Sequence, residues 1–157
     1  MKTATIKQLK EELKPYSSDE LLNLCLRLSR FKKENKELLT YLLFEAHNEA
    51  NFIESIKNEI DIHFNTINTN SYFYIKKSVR KILRLIKKYS RYSLKKETEV
   101  ELLLYFCFKL KNITPSYKQN VTLSNIYQRQ ILTIKKITSN LHEDLQFDYN
   151  MELEKLL

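Results

Sequence analysis

The sequence predicts an all-α protein, with one domain over residues 1–157, five to seven helices and no sheet. Glycine is absent from the chain and proline occurs only twice. Tight β-hairpin turns depend on glycine for positive φ angles, so a sheet has little support. Apolar residues instead recur every three or four positions, which is the period of a helix with one buried face. Short connections favour neighbours stacked as antiparallel helical hairpins, and HEAT-like stacking is left open.

Two capping patterns mark the first two helices. Thr5 is followed three residues later by Gln8, and Ser17 is followed in the same way by Glu20. In a capping box the two side chains bond each other's backbone N–H groups at a helix start. Pro15 lies between the two patterns and ends the first helix.

A long apolar repeat follows a connection at residues 32–35. It covers about residues 36–67 and predicts either one helix or two, with neither option favoured. A break at 47–51 fits the second option, because Asn51 and Glu54 could form a further capping box.

Three more helices are predicted, at about residues 71–91, 96–111 and 122–145. The helix at 96–111 is apolar on nearly every side, so we expect it to be the buried centre of the domain. The last residues, 148–157, are expected to add one or two amphipathic turns.

Positive charge is concentrated in residues 71–96, which hold ten Lys or Arg and no Asp or Glu. The rest of the chain holds 17 basic and 19 acidic residues, although the whole chain has a net charge of +8. At about 100° per residue, one side of the helix is apolar and fits a core. The opposite side predicts a surface for an anionic partner. Its eight cations are Lys76, Lys77, Arg80, Lys81, Arg84, Lys87, Lys88 and Arg91.

Three environments could compensate these charges. The first is water and salt. The second is the acidic segment 34–63, which has seven acids and two lysines. The third is an external polyanion, above all DNA or RNA, on whose bases Phe73, Tyr74 and Tyr92 could stack. No motif for base-specific recognition accompanies the helix, and an anionic membrane is less favoured because the apolar face fits a core.

Patterns for catalysis or metal binding are missing from the sequence. The absence of glycine excludes a Walker loop and a GxSxG elbow, and no HExxH is present. Five acidic and histidine residues come close to metal-ligand spacing, but no Glu-x-x-His occurs. These five are Glu45, His47, Glu49, Glu59 and His63. We therefore expect a non-enzymatic protein with no cofactor, metal or small-molecule substrate.

The two cysteines and the N-terminal segment indicate a cytoplasmic location. Cys25 and Cys107 lie in apolar helical patterns and give no disulfide or metal framework. The first 14 residues, MKTATIKQLKEELK, lack the apolar core of a signal peptide. No apolar run is long enough to cross a bilayer.

The order of the segments resembles a small family of all-helical bacterial proteins classed as a domain of unknown function. A short helix is followed by KPYSSDELLNLCLRLSRFKK, a long helix, the basic KKSVRKILRLIKK, an apolar helix and an amphipathic one. The lysine- and leucine-rich opening and the cap at Leu9–Leu22 are similar to that family. The resemblance implies a helical fold and no activity, because the family has no catalytic residues to transfer.

The sequence therefore predicts a helical module that binds an anionic partner through the face at about residues 76–91. The alternative is a protein–protein adaptor or homodimer whose basic face is neutralised by the segment 34–63. The apolar residues expected to form that interface are Tyr41, Phe44, Phe52, Leu156 and Leu157.

Overall fold

The computed structural model describes all 157 residues and contains eight α-helices and no strand. The all-α class is confirmed, with slightly more helices than the five to seven expected. No helix combines the length and apolar character needed to cross a membrane. The helices are α1 (Ile6–Leu13), α2 (Ser18–Phe31), α3 (Lys33–Thr40), α4 (Glu49–Asn65), α5 (Tyr72–Ser93), α6 (Lys96–Lys111), α7 (Val121–Thr138) and α8 (Glu143–Glu154).

The chain divides into two compact units, Met1–Phe44 and Glu45–Leu157. The first unit contains α1, α2 and α3, and the second contains α4 to α8. The expectation of a single domain over 1–157 stays a prediction.

The two predicted capping boxes start α1 and α2. Thr5 and Gln8 bond reciprocally at the start of α1, and Ser17 and Glu20 do so at the start of α2. The predicted four-residue connection after α2 is shorter, because only Lys32 has an extended backbone.

The long repeat at 36–67 contains two helices rather than one. After α3 the chain makes a π-helical turn at Tyr41–Glu45, and α4 begins after Asn48. The Asn48 side chain accepts a hydrogen bond from the Asn51 N–H at 3.2 Å. The helix start is therefore capped by Asn48, three residues before the cap that the sequence suggested.

The core of the second unit is built around α6, as its apolar composition predicted. This helix packs against α4, α5, α7 and α8. Phe106 on α6 is fully buried, with its ring centroid 5.8 Å from that of Phe64 on α4. A helix with four neighbours has little surface left for water, which explains its nearly uniform apolar sequence.

The predicted helix at 122–145 divides into α7 and α8. α7 ends at Thr138, and His142 caps α8 by accepting a hydrogen bond from the Asp144 N–H. The apolar period continues through Leu141 and Leu145, so the sequence pattern gives no sign of this break. The tail, residues 148–157, continues α8 to Glu154. Leu153 on α8 and Leu156 just after it are buried in the core.

A charged contact at Asp61 joins α4 to α6. Asp61 accepts a hydrogen bond from the Tyr105 hydroxyl at 2.7 Å and pairs with the Lys109 ammonium at 2.9 Å. Burial opposes ionisation of Asp61, but the hydrogen bonds from Tyr105 and Lys109 and the lysine charge outweigh it, so the pKa of Asp61 is lowered. Burial and the same contact raise the pKa of Tyr105 to about 12.

We expect Asp61→Asn to lower the free energy of unfolding more at pH 7 than at pH 3. A carboxyl whose pKa is lower in the folded state stabilises the protein fully above its unfolded pKa. That stability is lost as the pH falls below 3.8, the ordinary value for Asp, and through the lower folded value. Urea unfolding at a series of pH values measures the difference from wild type. Asp148→Asn, at an exposed position on α8, is the control, and a difference independent of pH would contradict the expectation.

Candidate polyanion-binding face

The basic segment forms α5, a helix of 22 residues. The Ser71 side chain caps its start by accepting a hydrogen bond from the Phe73 N–H. Its apolar residues follow the helical period, so they are buried on one side. This side packs against α4 and α6 and contains Ile75, Val79, Ile82 and Ile86.

The eight predicted cations lie on the other side of α5, and we call them the basic stripe. Lys76 and Lys88 are half-buried. The other six are exposed and are Lys77, Arg80, Lys81, Arg84, Lys87 and Arg91. Burial of the apolar side fixes the helix rotation, and this keeps the stripe at the surface.

Seven cations of the basic stripe, all except Lys88, have no ion pair with a carboxylate. The Lys88 ammonium lies 4.5 Å from the centroid of the Tyr89 ring. Like charges at i,i+4 on a helix repel by a few tenths of a kcal/mol per pair. Because these seven have no carboxylate partner, that repulsion is not relieved by ion pairing.

The acids of α4 have partners outside the basic stripe. Glu49 pairs with Lys95 at 3.2 Å, and Asp61 pairs with Lys109. Glu59 does reach α5, but there it accepts a hydrogen bond from the Tyr89 hydroxyl at 2.9 Å. Neither of these ion pairs involves a cation of the basic stripe.

A shallow groove of about 660 Å³ runs along the exposed side of α5. Its lining alternates cations with two apolar side chains, Phe73 and Leu83. The sequence pattern placed Leu83 only on the core side and did not indicate that it also lines this groove. Its cations are Lys76, Lys77, Arg80, Arg84 and Lys87.

The three aromatic residues proposed for base stacking have different environments. Phe73 and Tyr74 are exposed at the start of α5, with ring centroids 5.4 Å apart in an edge-to-face contact. Tyr92 is only 8% exposed, and its ring packs edge-on against Tyr89. It lies one helical turn after Tyr89 on the packed side, so its ring is not presented to a ligand. Tyr92 is therefore not a stacking residue in this structure.

A second cleft, of about 520 Å³, lies between α4, α6 and α8. Its charged groups have partners inside the cleft: Lys57 pairs with Glu101 at 3.6 Å, and Lys155 pairs with Glu152. The Lys111 ammonium donates to the Lys155 carbonyl oxygen at 2.9 Å. Because these contacts satisfy its charges, the cleft has less unpaired charge for a polar ligand than α5.

The candidate metal ligands remain dispersed. No group of three His, Cys, Asp or Glu side chains is placed to hold a metal ion. His63 and Glu59 approach each other at 3.9 Å, as expected for an i,i+4 pair on α4. This pair alone does not make a metal site.

Known proteins give no relative for this chain. No protein-family model, curated protein or solved structure matches it. What the protein binds is therefore inferred from its own surface, where seven cations of the basic stripe have no ion pair.

Proposed function

We propose that this chain is a non-enzymatic helical module that binds nucleic acid, DNA or RNA, through the basic stripe of α5. The observation that carries the proposal is the set of seven cations on one helix face without an ion pair. A polyphosphate backbone relieves their mutual repulsion and releases its own condensed counterions. The carboxylates of α4 offer no such relief, since they pair with other residues.

The dimensions of the stripe fit a run of phosphates. From Lys76 to Arg91 the helix rises about 23 Å at 1.5 Å per residue. One turn of duplex DNA is about 34 Å long, so the stripe covers roughly two thirds of a turn. Exposed cations at three- and four-residue intervals can follow a phosphate backbone over that length.

The chemistry of the stripe favours binding without sequence preference. α5 contains no Asn or Gln, the residues that recognise adenine by paired hydrogen bonds. Phe73, exposed at one end of the groove, can stack on any base because every base has a π face. We therefore propose phosphate contact along the stripe and stacking at Phe73, with Tyr74 beside it.

Fluorescence anisotropy with labelled mixed-sequence single-stranded DNA, duplex DNA and RNA tests the proposal. We expect binding at low salt, with log K falling linearly against log salt. Each neutralised phosphate contributes a slope of about −0.9 for duplex and about −0.7 for single strands. Five to seven contacts therefore give a duplex slope between about −4.5 and −6.3. No binding to any of the three probes at low salt would overturn the proposal.

We further propose antiparallel hairpin stacking of the helices in Glu45–Leu157, in a HEAT-like manner. Packing between helices consecutive in the chain supports this. A cytoplasmic setting is proposed because Cys25 and Cys107 are both free thiols. The resemblance to the uncharacterised bacterial family stays a prediction and adds no activity.

A further inference from the structure

The first unit leaves its apolar residues exposed to water. No residue from Met1 to Thr40 is buried, although α1, α2 and α3 all carry apolar side chains. Fourteen large hydrophobic residues of Met1–Phe44 are exposed. A unit of this size cannot build a sufficient core by itself, because small chains bury too little of their surface.

The width of the apolar surface on α2 explains why α3 alone does not bury it. At about 100° per residue, the apolar residues of α2 cover roughly 220° of its circumference. One packed helix covers about 100° of that arc. The hairpin closes on one side, where Leu24 and Leu39 are half-buried and the Asn35 amide donates to the Leu28 carbonyl at 2.8 Å. The remaining arc of α2 has no neighbour in this unit.

The open side contains an uncharged groove between α2 and α3 of about 310 Å³. No acidic or basic side chain lines it. Its residues are Cys25, Leu28, Ser29, Asn35, Leu38, Leu39 and Leu42. We call this surface the hairpin groove.

We infer that the hairpin groove is a self-association surface, covered by the same groove of a second copy of this chain. Two helical hairpins related by a two-fold axis form a four-helix arrangement that buries both apolar arcs. At the axis of a two-fold interface a residue meets its own copy, so a charged residue there would repel that copy. An uncharged lining meets this condition, whereas a charged partner would require complementary charges in the groove.

The exposed apolar area also fits a dimer. Nine large hydrophobic residues between Leu21 and Phe44 are exposed. Each offers roughly 50–100 Å² at the usual ratio of area to transfer free energy. Together they supply roughly 450–900 Å², close to the 800 Å² or so that one partner contributes to a standard interface. Leu28, Leu38 and Leu42 of these nine line the hairpin groove, and the apolar surface of the whole segment is comparable in area to one side of a dimer interface.

This inference corrects the interface residues that the sequence suggested. Tyr41, Phe52 and Leu156 are buried within the chain, so they are not available to a partner. Phe44 and Leu157 are exposed, but the larger apolar surface lies on α2 and α3. The inference does not rest on nucleic-acid binding, since α5 belongs to the second unit.

Sedimentation velocity of the full chain tests the inference. We expect a species of twice the 18.9 kDa chain mass at about 10 µM, the range of a moderate homodimer. High salt should not dissociate it, because apolar contacts do not depend on charge attraction. A monomer at all concentrations up to about 100 µM would overturn the inference, whether another protein or nothing covers the groove.

Substitution locates the interface. Leu28→Glu with Leu42→Glu should weaken the dimer at least about 100-fold, since each copy would bury two unpaired carboxylates. Leu132→Glu, at an exposed position on α7, is the matched control and should leave the dimer intact. A dimer that survives the double substitution would place the interface elsewhere and overturn the inference.

Cys25 provides a test that does not require a substitution. It is exposed in the hairpin groove, whereas Cys107 is buried and has a pKa raised to about 12 by that burial. Mild copper-phenanthroline oxidation of the wild type should therefore produce a dimer linked through Cys25, identified by peptide mapping. Noncovalent dimers in which Cys25 does not cross-link would contradict pairing of the two grooves.

Discussion

Reversing Arg80, Arg84 and Lys87 to Glu is expected to abolish nucleic-acid binding while the helical content stays unchanged. The three residues are exposed and lack ion pairs, so their substitution removes no contact that holds α5 in place. Three phosphate contacts are lost and three repulsive charges replace them. Since each contact contributes about −0.9 to the slope of log K against log salt, the duplex slope should become about 3 less steep. The affinity at low salt should fall by at least about 1,000-fold.

The matched control reverses Arg129, Lys135 and Lys136 on α7. These residues are also exposed and unpaired, and their reversal changes the net charge from +8 by the same six units. Anisotropy should show nearly unchanged binding for this variant. Equal losses in both variants would mean that binding follows net charge rather than the basic stripe. Loss of the circular dichroism helix signal in the stripe variant alone would instead favour intramolecular neutralisation of the stripe.

The sequence predicted the ends of most helices better than it predicted which helix surfaces are packed against neighbours. The capping boxes at Thr5 and Ser17 and both ends of α6 were correct, because these signals lie within a few residues of the helix end. The end of α7 was missed because apolar residues continue at helical spacing across the turn before His142. Periodicity reports which side of a segment is apolar, and it does not report where the backbone turns.

In the candidate site too, the helical period predicted which side of α5 is apolar but not how its residues pack against other helices. The period of α5 correctly separated its buried side from the basic stripe, since both sides follow from the 3.6-residue turn. It did not show that Tyr92 is buried, because the burial of a residue at a helix end depends on the neighbouring helices. Nor did the sequence show that the apolar surfaces of α2 and α3 remain exposed. An apolar pattern predicts a surface to be buried, but it does not predict what will pack against that surface.

Phe106→Ala is expected to destabilise the second unit by about 3–5 kcal/mol, the usual cost of removing a buried aromatic side chain. Phe106 is 0% exposed on α6, the helix that contacts four others. Loss of its side chain therefore leaves a cavity that small movements of the surrounding helices do not fill. Because a whole domain is stable by about 5–15 kcal/mol, this substitution should leave the unit close to unfolding.

Phe108→Ala is the control on the same helix, two residues away. Phe108 is 54% exposed, and its ring lies 6.5 Å from that of Tyr105, so its loss should cost only about 1 kcal/mol. Urea unfolding followed by far-ultraviolet circular dichroism measures both variants against wild type. The loss should appear in the unfolding transition of Glu45–Leu157, the unit that contains α6. Equal losses for the two variants would contradict α6 as the centre of the core and, with it, the packing that holds the basic stripe at the surface.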